Sequence, residues 1–317
     1  MSKNGLPRKP LTKRRLKNLI LNVLKNPFNM VVLVSLVILF CLIIIPLLTM
    51  IANTFTLAQG ELRRVQGHVG DFTLYYWKYI LAGTMSSAVL WGPLKNSFVC
   101  GFFTVLVSVP LGSVLAWLMI RTDIPGKKIL GLLVTVPYMI PSWTKALAWL
   151  AMFRNSTSGA DGFLAGMGIP IPDWLAYGPI AIVLCMSMHY YAFSYIMVSG
   201  ALRSINSELE EMGEIQGASK AQILRHITLP LILPSVLSAT VMTISKSIGT
   251  YGVPANLGNR IGYYTLATKM RNFIDQGPQA VGYAMSIVLV LLAALIIFSN
   301  QRIVGVRKSY ATVSGKG

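Results

Sequence analysis

The strongest constraint in this sequence is a series of six long runs that contain no charged residue. Apolar side chains dominate these runs, which cover residues 26–60, 96–120, 129–144, 174–202, 226–245 and 276–301. Most of them hold the roughly 20 residues that a helix needs to cross the hydrocarbon core of a bilayer. The third run resumes after Lys145 and the fifth resumes after Lys246. The pattern predicts an all-α membrane protein with six transmembrane helices.

The formal net charge of +18 would favour a nucleic-acid partner if the protein were soluble. The positions of the charges favour a membrane instead. With the N-terminus placed inside, most lysines and arginines fall in the N-terminal tail, in the loops after the second and fourth runs, and in the C-terminal tail. Because cytoplasmic segments retain positive charge, we predict that both termini are cytoplasmic. We expect the basic cluster of the N-terminal tail to contact anionic lipid and no nucleic acid to be bound.

These runs divide the chain into segments. We predict a basic cytoplasmic tail at 1–27, a first transmembrane helix at 28–56, an outer segment at 57–94, a five-helix unit at 95–301 that includes a polar inner stretch at 204–229, and a second cytoplasmic tail at 302–317. The outer segment contains DFTLYYWKYILAG, an aromatic-rich pattern typical of a helix at headgroup level. All three cysteines lie in predicted spans, which indicates apolar packing rather than disulfides.

Prolines modify two of the predicted helices. The third helix, about residues 129–152, contains Pro137 and Pro141, so we expect it to be kinked. The fifth, about residues 231–258, is broken by the run IGTYGVPANLG. Irregular backbone at membrane depth is tolerated where it is buried in protein or lines a cavity.

The polar stretch EEMGEIQGASKAQILRHITLP, residues 210–230, lies between the fourth and fifth spans. Capping boxes at Ser207 and Ser219 predict two short helices, with Gly217 in the turn between them and Pro230 at the end of the second. A plain solvated loop is one alternative. A DNA-binding helix-turn-helix is another, disfavoured because its glutamates would repel phosphate and both of its ends are tethered to the membrane.

The same stretch resembles the EAA motif of binding-protein-dependent ABC importer permeases, written E-A-A-x-x-x-G-x(9)-I-x-L-P. The matching positions, together with the small residue after the motif glycine, are Glu211, Gly213, Gly217, Ala218, Ile227, Leu229 and Pro230. The chain departs from the motif where Met212 and Gly213 replace its two alanines.

This resemblance implies a type I importer permease with a MetI-like five-helix core and one additional helix in front of it. The matching residues would form coupling helices that dock on a cytoplasmic ATPase subunit. The resemblance also implies a second permease subunit, an extracytoplasmic solute-binding protein, and a multi-pass location in the bacterial inner membrane.

The sequence contains no G-x-x-x-x-G-K-[ST] motif, so we expect ATP to bind to the partner ATPase and no cofactor to bind to this chain. Its three histidines, His68, His189 and His226, fall in an outer loop, a span and the inner loop, which predicts no metal site and no catalytic site. The chain is therefore predicted not to be an enzyme.

Two lysines interrupt the predicted spans, and an intramembrane lysine is by default a candidate for function. Lys145 lies near one end of its span, from which its side chain can reach the interface. Lys246 is deeper and adjoins the broken run. The residues that we predict to line a translocation pathway are His189, Ser245, Lys246, Thr250 and Tyr251.

No aspartate or glutamate falls within any run, which favours an anion over a cation as the transported solute. The run SIGTYGVPANLG also resembles ferric-iron-type permeases, a branch that includes polyamine, aminoethylphosphonate and thiosulfate systems. We expect ferric iron or an anionic or anion-chelated solute, with the other three as alternatives. An ion-coupled secondary transporter is the alternative class, disfavoured because no membrane carboxylate and no sequence repeat is found. A membrane enzyme would need catalytic residues that are not evident.

Overall fold

The computed structural model describes residues 27–61, 65–206 and 208–307, and these residues form helices joined by loops. The only β pairing within those ranges is a single antiparallel bridge between Thr56 and Phe72. The predicted all-α fold is therefore confirmed. The predictions for the N-terminal tail, for the end of the C-terminal tail and for the cap at Ser207 lie outside the described residues.

The helices are labelled here in chain order. They are α1 Pro27–Asn53, α2 Tyr75–Ala82, α3 Ser87–Arg121, α4 Lys127–Met139, α5 Ser142–Phe153, α6 Gly178–Ser204, α7 Glu208–Ile215, α8 Lys220–Ile248, α9 Gly252–Leu257, α10 Leu266–Gln276 and α11 Gln279–Arg307. Single helical turns at Phe163–Gly166 and Asp173–Ala176 lie between α5 and α6. Helix α3 opens with a π-helical turn, Ser87–Trp91, and α8 contains another, Leu224–Thr228.

Five helices in the described part of the chain are long and apolar enough to cross a membrane: α1, α3, α6, α8 and α11. The third predicted span is broken rather than kinked, because α4 ends at Met139 and α5 begins at Ser142. Ile140, which precedes Pro141, has the extended backbone (φ −79°, ψ 129°) that a following proline favours. Together α4 and α5 correspond to the third predicted span. With the five single helices they would make six crossings, and this count stays a prediction.

The packed centre of the molecule is the pair α3 and α6, which make the most extensive contact, with α8 lying against both. Gly112 permits this close approach: a Cβ at this position would lie 2.4 Å from the carbonyl oxygen of Tyr191. Small residues at helix crossings are typical of membrane bundles, where dispersion rather than water exclusion drives packing. Helix α1 has no buried residue and lies at the edge, consistent with a helix added to the core.

Helix α8 differs from the prediction at its start. We expected Pro230 to end a short helix, but the helix is continuous from Lys220 to Ile248. The π turn Leu224–Thr228 ends two residues before the proline, and such a turn rearranges the hydrogen-bond ladder where a backbone N–H is missing. As a result, the second half of the polar stretch and the fifth span form one continuous helix.

Candidate functional site

The polar stretch forms a helical hairpin at one end of the bundle. Helix α7 ends at Ile215, and Gly217 then adopts a left-handed backbone with φ +84°. Ser219 starts α8 with the predicted capping box, since its hydroxyl accepts from the backbone N–H of Gln222 while its own N–H donates to the Gln222 side chain at 2.7 Å. The predicted cap at Ser219 is confirmed.

Two glycines of the motif have different physical roles. A Cβ at Gly217 would meet no atom of the described chain within 4 Å, so its positive φ requires glycine rather than close packing. The close approach occurs at Gly213, where a Cβ would lie 3.2 Å from side-chain atoms of both Ile223 and Ile227. The small residue at position 213 therefore seats α7 against α8.

One carboxylate joins the hairpin to the bundle. The hydroxyl of buried Thr228, on α8, donates to Oε1 of Glu210 at 2.7 Å, and Nε of Arg121, the last residue of α3, lies 2.9 Å from Oε2. Arg121 also donates to the carbonyl oxygen of Leu202 on α6 at 3.1 Å. We call Arg121, Glu210 and Thr228 the Glu210 junction. In the sequence, Glu210 is the glutamate three residues after Ser207 in the predicted capping box, and no signal indicated Arg121 or Thr228.

An apolar face of α7 points away from the bundle. Leu209, Met212 and Ile215, spaced three residues apart, are 47%, 56% and 86% exposed. A contiguous apolar surface of this kind is typical of a protein-binding face. Among the predicted coupling residues, Glu211, Gly217, Leu229 and Pro230 are exposed, whereas Gly213, Ala218 and Ile227 are half-buried. We call the apolar face formed by Leu209, Met212 and Ile215, together with Glu211, the coupling surface.

Lys246 lies near the far end of α8, and the structure gives it neutral partners. Its Nζ donates to the hydroxyl of Tyr138 at 3.0 Å and lies 4.5 Å from the ring centre of Phe193. The side chain is exposed. All ten acidic residues lie outside the predicted spans, so the charge of this ammonium is left available to an anion.

Lys145 forms hydrogen bonds at the break between α4 and α5. In a continuous helix the carbonyl oxygen of Pro137 would accept from the N–H of residue 141, which is a proline and has none. The ammonium of Lys145 donates to that oxygen and also contacts Nδ1 of His189 at 2.6 Å. Since an ammonium has no lone pair, Nδ1 must be the acceptor and Nε2 must carry the proton. Lys145 therefore has a structural role at the break.

The predicted pathway residues are only partly brought together. His189 stacks on Tyr138 with ring centres 5.4 Å apart, which links the two lysines. Thr250 donates to the carbonyl oxygen of Lys246 at 2.9 Å and contacts the hydroxyl of Tyr190 at 2.7 Å. Ser245 is half-buried and Tyr251 is exposed at the break after α8. Tyr138, Tyr190 and Phe193 were missed, because aromatic residues in apolar runs resemble ordinary packing residues.

Comparison with known proteins identifies the class. The sequence profile of the family described as "Binding-protein-dependent transport system inner membrane component" matches residues 108–309. The chain belongs to this family. It is thus a multi-pass inner-membrane permease component of an ABC importer, and the family is one of transport components rather than enzymes.

Three individual relatives are 26–28% identical to this chain. A probable sulfate transport system permease protein of Marchantia polymorpha is 27% identical over 180 residues, which cover 56% of this chain and 59% of that protein. A putative 2-aminoethylphosphonate transport system permease protein of Salmonella typhimurium is 28% identical over 232 residues, covering 73% and 80%. The sulfate transport system permease protein of the same Salmonella is 26% identical, covering 65% and 73%.

Two solved structures show the fold. A bacterial ABC transporter for the import of alginate has a TM-score of 0.66 at 18% identity, covering 90% of this chain and 98% of that chain. The MetNI methionine ABC transporter has a TM-score of 0.52 at 24% identity, covering 69% and 94%. The predicted importer-permease fold is confirmed. The family decides against a secondary transporter or a membrane enzyme, while the expectation of ferric iron gains no support from the relatives described.

Proposed function

We propose that this permease moves a small oxyanion of the sulfate or phosphonate class. The observation that carries the proposal is Lys246, an exposed ammonium near the broken end of α8 whose contacts are neutral. The named functions of the sulfate and aminoethylphosphonate relatives support the same class of solute. An ammonium at membrane depth attracts an anion and repels a cation, which disfavours a polyamine.

We further propose the partners that the resemblance implies. An ATPase subunit binds the coupling surface, where Leu209, Met212 and Ile215 supply apolar contacts. A second permease subunit and an extracytoplasmic solute-binding protein complete the importer, and ATP binds to the ATPase rather than to this chain. One alginate transporter structure is a complex with a periplasmic protein that binds an alginate pentasaccharide, which supports the expectation of a binding protein.

The mechanism follows from the continuity of α8. Motion of α7 is passed through the Glu210 junction to α3 and, through Thr228, to α8. Lys246 is 18 residues beyond Thr228 on the same continuous helix, and a rise of 1.5 Å per residue places it about 27 Å from Thr228. A tilt of α8 driven at the coupling surface therefore moves the ammonium and its contact with Tyr138. In this way ATPase closure alters the solute pathway.

The test is uptake by cells that express the full chain with its ATPase, second permease and binding protein. We expect labelled sulfate or 2-aminoethylphosphonate to enter, and Lys246→Met to lower the rate about tenfold, since loss of one charge contact of ~1.4 kcal/mol corresponds to that factor. Lys246→Arg retains the charge and should retain most of the rate. Lys95→Met, which removes an exposed lysine at the start of α3, is the matched control.

Two results would contradict the proposal. Uptake of ferric citrate or spermidine in place of both oxyanions would overturn the solute class. Oxyanion uptake that is equal in wild type and Lys246→Met would retain the solute class and reject the role of the lysine.

A further inference from the structure

A groove that plays no part in the proposed translocation mechanism runs between α3, α4 and α6. Its volume is about 680 Å³, and residues of all three helices line it. Sites for small ligands commonly have volumes of about 300–1,000 Å³, so a ligand fits.

Two facing stripes form the walls of this groove. Lys127, Gly131 and Thr135 are four residues apart on α4, and Tyr195, Ser199 and Arg203 are four apart on α6. Residues at this spacing share one face of a helix. Arg121, which ends α3 just before α4, bonds to Leu202 near the end of α6, so the first residues of α4 lie beside the last residues of α6. The cations of both stripes therefore meet at one end of the groove.

The chemistry of the groove changes along its length. At the end that bears the coupling surface are Lys127, Lys128 and Arg203, and none of the lining residues is acidic. Lys127 donates to the carbonyl oxygen of Thr122 at 3.0 Å, while Lys128 and Arg203 are exposed. Farther along, the wall is formed by glycines, hydroxyl groups and the exposed side chain of Ile196. A strong anion is favoured at one end and an apolar chain beyond it.

Ser199 gives a second and independent indication of a ligand. It is only 6% exposed, and its hydroxyl has no hydrogen-bond partner within the described residues. A buried hydroxyl without a partner is destabilising. Several buried hydroxyls in the described residues share this property, Thr104 and Ser108 among them, and Ser199 is the one that lines this groove. It lies one helical turn before Arg203 on the groove face, in position to donate to a polar group that the groove holds.

We propose that this groove binds an anionic phospholipid. The phosphate of the headgroup lies between Lys128 and Arg203, Ser199 donates to a headgroup or ester oxygen, and an acyl chain passes over Gly200 and Ile196. Basic pockets between transmembrane helices recognise lipid headgroups in this way, and the predicted topology places this end at the anionic cytoplasmic leaflet. The inference does not depend on which solute the permease transports.

The experiment measures lipid retention by the full chain. The protein is placed in nanodiscs of equal parts phosphatidylglycerol and phosphatidylcholine, released, and examined by native mass spectrometry. We expect wild type to retain phosphatidylglycerol preferentially, and Lys128→Gln/Arg203→Gln to lower this retention roughly tenfold. A second variant keeps the charge: a Cβ at Gly200 meets no atom within 4 Å, so Gly200→Leu adds a side chain to the groove and should also release the lipid.

The matched control is Lys220→Gln/Arg225→Gln, which removes two exposed cations from the same end of the chain but outside the groove, and should retain phosphatidylglycerol as wild type does. Equal retention of both lipids by wild type, or retention unchanged in both groove variants, would overturn the proposal. Displacement of the lipid by millimolar sulfate or inorganic phosphate would assign the groove to a free anion instead. Loss of a dimer in Gly200→Leu, without a change in lipid, would assign it to a second copy of the chain.

Discussion

The carbonyl oxygen of Pro137 explains why a lysine is present at position 145. Pro141 cannot donate to that oxygen, and Lys145 replaces the missing N–H. Lys246 has no comparable backbone partner in the described part of the chain; its contacts are the hydroxyl and ring of Tyr138 and the ring of Phe193. Two lysines with the same sequence signal thus differ in their contacts: Lys145 bonds to the backbone at the break, and Lys246 is the one for which we propose a role in transport.

This difference predicts opposite outcomes for two matched substitutions. Lys145→Met leaves the carbonyl oxygen of Pro137 and Nδ1 of His189 without a donor, so we expect the free energy of unfolding to fall by about 1–3 kcal/mol. Lys246→Met removes only exposed contacts and should lower stability by less than about 1 kcal/mol. Thermal unfolding of the purified variants in detergent, followed by tryptophan fluorescence, measures both. Equal losses of stability would contradict the separation of roles.

At the scale of elements, the Glu210 junction connects four helices through two charged side chains. Glu210 lies on α7, Thr228 on α8 and Arg121 at the end of α3, from which Arg121 also reaches α6. The neighbouring Glu211, which the motif singles out, is exposed on the coupling surface. The two adjacent glutamates are therefore expected to serve different partners, Glu210 within this chain and Glu211 on the ATPase.

Substituting each glutamate separately tests this assignment. Glu210→Gln breaks a half-buried ion pair, and we expect it to lower the free energy of unfolding by about 1–3 kcal/mol and to reduce stimulation of the ATPase by loaded binding protein. Glu211→Gln should leave stability unchanged and weaken binding of the ATPase. The measurements are thermal unfolding, basal and stimulated ATP hydrolysis, and co-purification of the ATPase.

If Glu210 had a purely structural role, Glu210→Gln would lower basal and stimulated ATP hydrolysis by the same factor. The double variant Arg121→Met/Glu210→Met separates the possibilities, since an apolar pair can restore stability without restoring the charged link. Stability that returns while stimulation stays low supports transmission through the junction. Recovery of both would contradict it.

At the scale of the whole molecule, five single helices and the divided pair α4–α5 predict six crossings, which places both termini on the same side. The coupling surface and the cations of the lipid groove lie at one end of this bundle. The loop between α5 and α6 is predicted at the other end. The predicted topology therefore determines which exposed residues lie on the same side of the membrane.

Site-directed labelling tests the topology. Cys100 and Cys185 are buried and Cys41 is exposed, so Cys41→Ala gives a background with low reactivity. In that background we expect Asp123→Cys, in the loop between α3 and α4, to react with a membrane-impermeant maleimide only in inverted vesicles, and Met167→Cys, in the loop between α5 and α6, to react in intact spheroplasts. Reaction of both cysteines from one side would mean that α4–α5 does not cross, and would reject six crossings.

Sequence alone determined the parts of this protein that depend on local rules. Uncharged runs of sufficient length have to become helices in lipid, because unpaired backbone groups are too costly there, and four of the predicted spans match single helices closely. The Ser219 cap and the turn at Gly217 follow from side-chain and backbone chemistry within a few residues. The motif with its spacing was sufficient to indicate the family.

Only the tertiary structure decided which side chains work together. Prolines are present in both places, yet α4 and α5 separate whereas α8 continues through Pro230. The choice of Glu210 over Glu211 depends on Arg121, which is far away in sequence. Arg121 and Glu210, or Tyr138 and Lys246, meet only after α3, α4, α6 and α8 have packed. Short-range patterns determine which helices form, whereas charge pairing and the satisfaction of buried polar groups depend on how those helices pack.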